Sequence, residues 1–327
     1  MGRATISEKQ FDYIHILKFL ACLMITNSHC RNIYPLYFLA IGGGQGNSLF
    51  FIVSGFLLAN IHLSFGDWIK KRVKRILPVC GLFVGVSILF IESIQLLSQM
   101  SLFDGCMLYI NKYWFGAAIL LYYPIYYLIF SNDNQNIRRL AFFMYLTGYI
   151  VLYIFVVDKS CFSVELEGFS WFKVYFYFGM FFFGGMIRKE IGQKRYEELV
   201  HRKKWIVAFI ITGLIIWTTT YMMVSLLGRG YKIQLLIHVG VAVFAVATFF
   251  LAYSYKDYYM PNGWIKNIVV AVANSTLEIY LLQVTIQPYV EKMMFPVSWI
   301  LFWVGALLGG VFLHEFIEKI EKTYVHF

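Results

Sequence analysis

Stretches long and apolar enough to cross a bilayer recur along this chain, near 11–30, 46–65, 76–98, 114–131, 140–157, 172–187, 205–227, 233–254, 267–290 and 296–314. Inside hydrocarbon a backbone must satisfy its own N–H and C=O groups, and an apolar run of about 20 residues does so as an α-helix. The chain therefore reads as an all-α polytopic integral membrane protein of about ten transmembrane helices. With 60% hydrophobic and 14% charged residues and a mean hydropathy of +0.65, a soluble protein of this length could not hide its apolar surface. The longest hydrophilic stretches, DKSCFSVELEGFSW and IRKEIGQKRYEELVHRKKW, are too small for a second domain, so residues 1–327 read as a single membrane-embedded domain.

The basic residues orient it. Arg31, Lys112, Lys159, Lys173, Arg229, Lys232 and Lys292 fall in one set of alternate loops, while the rest of the 28 Lys and Arg, Lys18 apart, fall in the other. The richer set marks the cytoplasmic side, which places both termini in the cytoplasm. The net charge of +10 thus records orientation in a lipid bilayer, with no nucleic-acid partner implied. The polar MGRATISEKQ leads into a full-length apolar span, so the first segment is expected to stay in place. Cys22, Cys30, Cys80, Cys106 and Cys161 are scattered without ligand spacing, and no metal is expected.

Within the first apolar segment, FDYIHILKFLACLMITNSHC, stand Lys18 and His29. Eleven helical residues return to within about 20° and advance roughly 16 Å, so the two share a face about half a hydrocarbon core apart. Ionisable groups at that depth normally face a protein interior or a wet cavity and mark a functional path. A neutral imidazole is the usual general base near neutral pH, and Asn27 and Ser28 add polar atoms beside it. The plainer alternative has His29 bonding headgroups and Lys18 snorkelling. GQGNSLFFIVSGFLL (44–58) places Ser54 and Gly55 in mid-membrane, where small residues allow close helix packing. FGDWIKKRVKRILP (65–78) then carries Lys70, Lys71, Arg72, Lys74 and Arg75 at the inner surface. Such a run anchors to anionic lipid; alternatively Arg72 and Arg75, three apart on one helical face, clamp a phosphate.

In order along the chain these residues resemble the membrane acyltransferase-3 family. Lys18 and His29 stand in the spacing of its Arg-x10-His signature. GNSLFFIVSGFLL is similar to its Phe-Phe-x-x-Ser-Gly-Phe run, and Arg72-x-x-Arg75 to its Arg-x-x-Arg signature. YWFGAAILLYYPIYY (113–127), FGMFFFGGMI (178–187) and NSTLEIYLLQ (274–283) are similar to its later Trp-Phe, Phe/Gly and Ser-x-x-x-x-Tyr-Leu-x-His segments.

The resemblance implies O-acyl transfer, usually acetyl, from cytoplasmic acetyl-CoA or another acyl-CoA to a hydroxyl of a cell-surface or lipid-linked glycan. It implies a multi-pass protein of a bacterial plasma membrane. Carried over, His29 is the catalytic base or acyl relay with Lys18 in place of the intramembrane arginine. Arg72 and Arg75, with Lys71 and Lys74 beside them, hold the coenzyme A phosphates. Asn27, Ser54, Trp114, Glu278, Tyr280 and Gln283 are expected at the substrate. Two positions depart from the family pattern. Lys18 keeps a charge without the planar fork of arginine, and Gln283 replaces a histidine with an amide that shuttles no proton. Glu278 is then the candidate for acid–base work, or else a carboxylate paired with a neighbouring cation such as Lys18. Trp114 and Trp171 are expected outside, in a sugar groove or an interfacial belt, and Glu165 and Glu167 at sugar hydroxyls or in solvent. The competing function is a transporter or flippase of a glycan precursor with a polar Lys18–His29 path. A requirement for coenzyme A separates the two.

Overall fold

A computed structural model describes residues 12–86, 110–164, 170–191 and 194–324, and among them the regular elements are helices. In chain order these are α1 (Asp12–Ser28), α2 (Gly43–Leu58), α3 (Phe65–Val86), α4 (Trp114–Phe130), α5 (Gln135–Phe155) and α6 (Trp171–Glu190). They continue with α7 (Lys194–His201), α8 (Lys203–Tyr221), α9 (Leu235–Tyr253), α10 (Trp264–Asn274), α11 (Thr276–Val290) and α12 (Val297–Tyr324). Each apolar stretch named from the sequence contains helix, but the bounds differ. The first helix stops at Ser28, so His29 lies in the turn beyond it rather than on the helix face. The sixth stretch, read as 172–187, is a helix of 20 residues, Trp171–Glu190. The ninth is not one helix: it breaks at Ser275 into α10 and α11. Part of the third stretch, and Cys106, Glu165 and Glu167, lie outside the described residues.

Five helical stretches among the described residues are long and apolar enough to cross a membrane: Tyr37–Leu58, Gln135–Phe155, Lys203–Leu226, Leu235–Tyr253 and Val297–Ile320. The broken pair α10 and α11 makes a sixth if counted as one crossing. Phe143, Met144 and Phe155 on α5 and Leu308 and Phe312 on α12 lie exposed, a surface that lipid would cover. The fold is that of an all-α, multi-pass membrane protein.

Contacts sort the chain into two compact units. The first comprises residues 1–25, 42–59 and 139–274. Its centre is the crossing of α2 with α6, where two glycines are obligatory. A Cβ on Gly55 would fall 1.8 Å from the Phe181 carbonyl oxygen, and one on Gly184 would fall 2.0 Å from that of Ile52. The Ser-Gly-Phe and Phe-Gly-Gly runs are thus the two sides of one close contact, extended by Phe51 stacked on Tyr177. Asp12, buried at the start of α1, accepts from the Met260 amide at 2.8 Å and from Lys266 Nζ at 3.3 Å. A carboxylate there also meets the positive end of the helix dipole. Gln234 is fully buried and fully bonded. It accepts from the amides of Ser163 and Val164 and donates to the carbonyls of Asp158 and Cys161, which fastens that loop to the start of α9.

The second unit comprises residues 26–41, 60–138 and 275–327. Its spine is the antiparallel pair α11 and α12. Gly305, Gly309 and Gly310 meet Ile286, Leu282 and Ile279 in turn, and a Cβ on Gly310 would come within 2.4 Å of the Ile279 side chain. This register, set by bare glycines, carries residues near 278 on α11 against those near 314 on α12. At the other end of the pair, Cys30, Ile33, Val290 and Phe302 form a buried cluster with Tyr34, Ile286, Trp299 and Trp303 around it. The segment after α1 is thereby packed onto the α11–α12 hairpin. α3 and α4 complete the unit, with the Cys80 Sγ 3.2 Å from where a Gly116 Cβ would stand.

Candidate active site

The turn that carries His29 is built from backbone and amide bonds. The His29 and Cys30 amides donate to the carbonyls of Thr26 and Asn27 at 3.2 and 3.0 Å, continuing the helix by a short turn. Asn27 Nδ2 then donates to the carbonyls of Leu39 and Ile41, both at 2.9 Å, and its Oδ1 accepts from the Tyr34 hydroxyl at 2.7 Å. Trp299 Nε1 donates to the same Tyr34 oxygen at 3.0 Å. Asn27, expected at the substrate, is the clamp that closes the loop from residue 27 to residue 41. It fixes the exit of α1 and so the position of the imidazole two residues on.

His29 is half-buried, and its ring lies edge-on to Tyr280, centroids 6.4 Å apart. Tyr280 packs in turn on Phe115 at 5.2 Å. α11 thus brings Tyr280 to His29, and it carries the other two expected residues as well. Gln283 is wholly buried, and neither its Nε2 nor its Oε1 has a partner. Glu278 is buried too; Oε1 lies 3.0 Å from His314 Nδ1, while Oε2 is buried without a partner. An unsatisfied buried polar atom costs about 1–3 kcal/mol, so three on one short helix mark a place kept for something that bonds them. The partner that Glu278 has within the second unit is thus the imidazole of His314. His314 was not among the residues named from the sequence; the signal that could have found it is its i, i+4 spacing to Glu318 at the end of the last apolar stretch.

The basic run lies on α3, in the same unit. Lys71, Lys74 and Arg75 are exposed, but Arg72 is half-buried, its guanidinium 5.4 Å above the ring of the buried Trp68. Trp68 is held edge-on by Tyr123 at 5.4 Å and leans on Tyr127 at 5.6 Å. Burial first, and then the charge of Arg75, lower the Arg72 guanidinium from its ordinary value, and Arg72 Nε is buried without a partner. An anion bound there would relieve all three penalties. The four basic residues are thus not equivalent: Arg72 is aimed by an aromatic platform, and the other three project freely.

Lys18 is half-buried midway along α1 and Ser54 is half-buried on α2, both in the first unit, and His29 belongs to the second. Trp114 is buried at the start of α4, edge-on to Phe115, so it is part of the core and presents no open platform for a sugar. Trp171 is the exposed one. No group of three His, Cys, Asp or Glu among the described residues is placed to hold a metal ion.

A family model described as an acyltransferase domain matches residues 11–313, nearly the whole chain. This chain belongs to the membrane acyltransferase-3 family. It is thus a membrane acyltransferase, and the match takes in Lys18, His29, Arg72, Tyr280 and Gln283 while stopping one residue short of His314. No curated protein and no solved structure matches the chain.

Proposed function

We propose that this acyltransferase moves an acetyl group from cytoplasmic acetyl-CoA to a hydroxyl of a cell-surface or lipid-linked glycan, with His29 as general base. The observation that carries the reading is the setting of His29. A half-buried imidazole is fixed by the Asn27 clamp beside Tyr280, on a helix whose Glu278 and Gln283 hold unbonded polar atoms in an apolar core. An imidazole so placed takes the proton of an incoming hydroxyl as its oxygen attacks the thioester carbon. Arg72 suits a coenzyme A phosphate, since the guanidinium is oriented by Trp68 and lacks a carboxylate partner among the described ion pairs. Both termini lie in the cytoplasm of a bacterial plasma membrane in this reading, with about ten crossings, and the inner surface carries the anion site.

A transport function has one observation in its favour, the break at Ser275 beside buried polar atoms, which transporters also use. A transporter needs no acyl donor. The deciding experiment supplies labelled acetyl-CoA to inverted membrane vesicles carrying either the wild-type chain or His29→Ala and follows label into glycan. Label transferred only by the wild type supports the acyltransfer reading; equal label with both overturns the role of His29.

A further inference from the structure

The hydrogen bond between Glu278 and His314 does not end there. His314 Nε2 faces Glu318 Oε1 at 3.5 Å, one turn further along α12, and Glu318 Oε2 accepts from Lys322 Nζ at 3.1 Å. Exposure climbs along this row: the side chains of Glu278, His314 and Glu318 are 7%, 20% and 51% exposed. A carboxylate, an imidazole and a second carboxylate thus run in line from the core of the unit to its surface. The inner end is open, because Glu278 Oε2 is buried with no partner. Nδ1 is hydrogen-bonded to one carboxylate and Nε2 lies within ion-pair distance of the other, an order that lets a proton enter at one nitrogen and leave from the other. The charged and titratable neighbours from α3 are Arg75, whose charge reaches Glu318, and Cys80, which lies within electrostatic reach of Glu278.

We propose that Glu318 and His314 form a proton relay that supplies Glu278, and that Glu278 protonates the thiolate leaving group of the acyl donor. The inference rests on the acyl-CoA reading above and adds the half of the reaction which that reading leaves open. The acceptor oxygen bonds to the acyl carbon, the carbon–sulfur bond breaks with its electron pair on sulfur, and the hydroxyl proton passes to His29. The sulfur then takes the proton from Glu278 Oε2. Glu278 recovers one from Nδ1 of the imidazolium of His314, and His314 recovers one at Nε2 from water by way of Glu318. His29 gives up its proton to water, so the products are an ester and a free thiol. Base and acid are separate residues at separate places on α11's surroundings: His29 beside Tyr280, and the relay at the Glu278 end. The exposed end of the relay lies on the helix that also carries Lys319 and Lys322, the basic residues that mark a cytoplasmic end.

The test uses the full chain in proteoliposomes with acetyl-CoA and an acceptor glycan, and reads thiol release with a thiol-reactive dye from about pH 5 to 8, where imidazole titrates. His314→Gln keeps a donor for Glu278 but cannot titrate. It is expected to slow thiol release about 100-fold and to flatten the pH dependence. Glu318→Gln, at a position about half exposed at the surface end of the row, is expected to slow release several-fold and to shift the same limb of the profile. Should His314→Gln fail to fold, Glu318→Gln decides alone. Wild-type rates and an unchanged pH profile in the folded variants overturn the relay while leaving acyl transfer standing. A wild-type chain that releases no thiol overturns the acyl-CoA reading and the relay with it.

Discussion

The hydroxyl of Tyr34 donates to Oδ1 of Asn27 at 2.7 Å, which leaves both hydrogens of the Asn27 amide for the carbonyls of Leu39 and Ile41. One side chain therefore uses its acceptor and both donors to set the loop that carries His29. Replacing Asn27 with Ala removes three bonds at once, and displacement of a base by about 1 Å costs on the order of 100-fold in rate. Asn27→Ala is expected to reduce acyl transfer by at least about tenfold, and Tyr34→Phe by less, with both proteins still in the membrane. Transfer assays on membranes normalised for protein check this, and full activity of Asn27→Ala would contradict it.

The basic run gives a graded prediction. Arg72 is oriented over Trp68 while Lys71 and Lys74 are exposed and project freely. A hydrogen bond to a charged group is worth about 1.5–3 kcal/mol, so Arg72→Ala is expected to weaken acyl-CoA binding roughly 10- to 100-fold. Lys71→Ala and Lys74→Ala are expected to change it little at physiological salt. Calorimetric titration of detergent-solubilised protein with a non-hydrolysable donor measures the difference; equal losses at all three positions would reduce the run to bulk charge.

The crossing of α2 and α6 tolerates no added carbon. With a Cβ only 1.8 Å from the Phe181 carbonyl oxygen, Gly55→Ala forces the two helices apart, and Gly184→Ala does the same against Ile52. Overpacking of this kind costs about 1–3 kcal/mol or more. Gly66, which has open space around it, is the control. A thermal unfolding midpoint in detergent is expected to drop for Gly55→Ala and to hold for Gly66→Ala.

A pH prediction follows from Lys256, which lies outside the spans and bonds Glu197 of α7 at 2.9 and 3.2 Å. Burial alone would lower its pKa, but the bonds to Glu197 and to the Tyr253 hydroxyl outweigh that and raise it. A group raised on folding adds stability that is fully present below its unfolded pKa, about 10.4, and is lost as pH rises through the higher folded value. The tether of α7 is therefore expected to be insensitive to pH around neutrality and to loosen only in strong alkali. Hydrogen exchange in residues 194–201, corrected for its intrinsic pH dependence, reads it; loosening between pH 6 and 8, the range of a histidine, would contradict the assignment to Lys256.

The parts of this fold legible in the sequence were those governed by local patterning. Apolar length placed the helices, and Ser54-Gly55 announced a close helix contact, whose other side is the Phe-Gly-Gly run of α6. Helix ends were less legible. The periodicity of residues 11–30 does not reveal that the helix gives way to a turn after Ser28, because the cause is the clamp from Asn27 to residues 39 and 41. Nor does composition reveal the break at Ser275, since Thr276–Val290 is apolar enough to continue the preceding helix. Among the candidate site residues, His29, Tyr280 and Gln283 could be named from the order of the motifs. The partner of Glu278 could not, because His314 is 36 residues away and reaches it only through the glycine-set register of α11 and α12. Trp114 misled for the opposite reason: an aromatic at a predicted interface looks the same in sequence whether it faces a sugar or the core.

The central claim is that His29 performs the transfer. The most direct measurement is the ester-linked acetyl content of surface glycans, by mass spectrometry, from cells carrying the wild-type chain and from cells carrying His29→Ala at equal membrane abundance. Acetyl esters are expected with the wild type and none above background with His29→Ala. Equal acetylation in the two would contradict it.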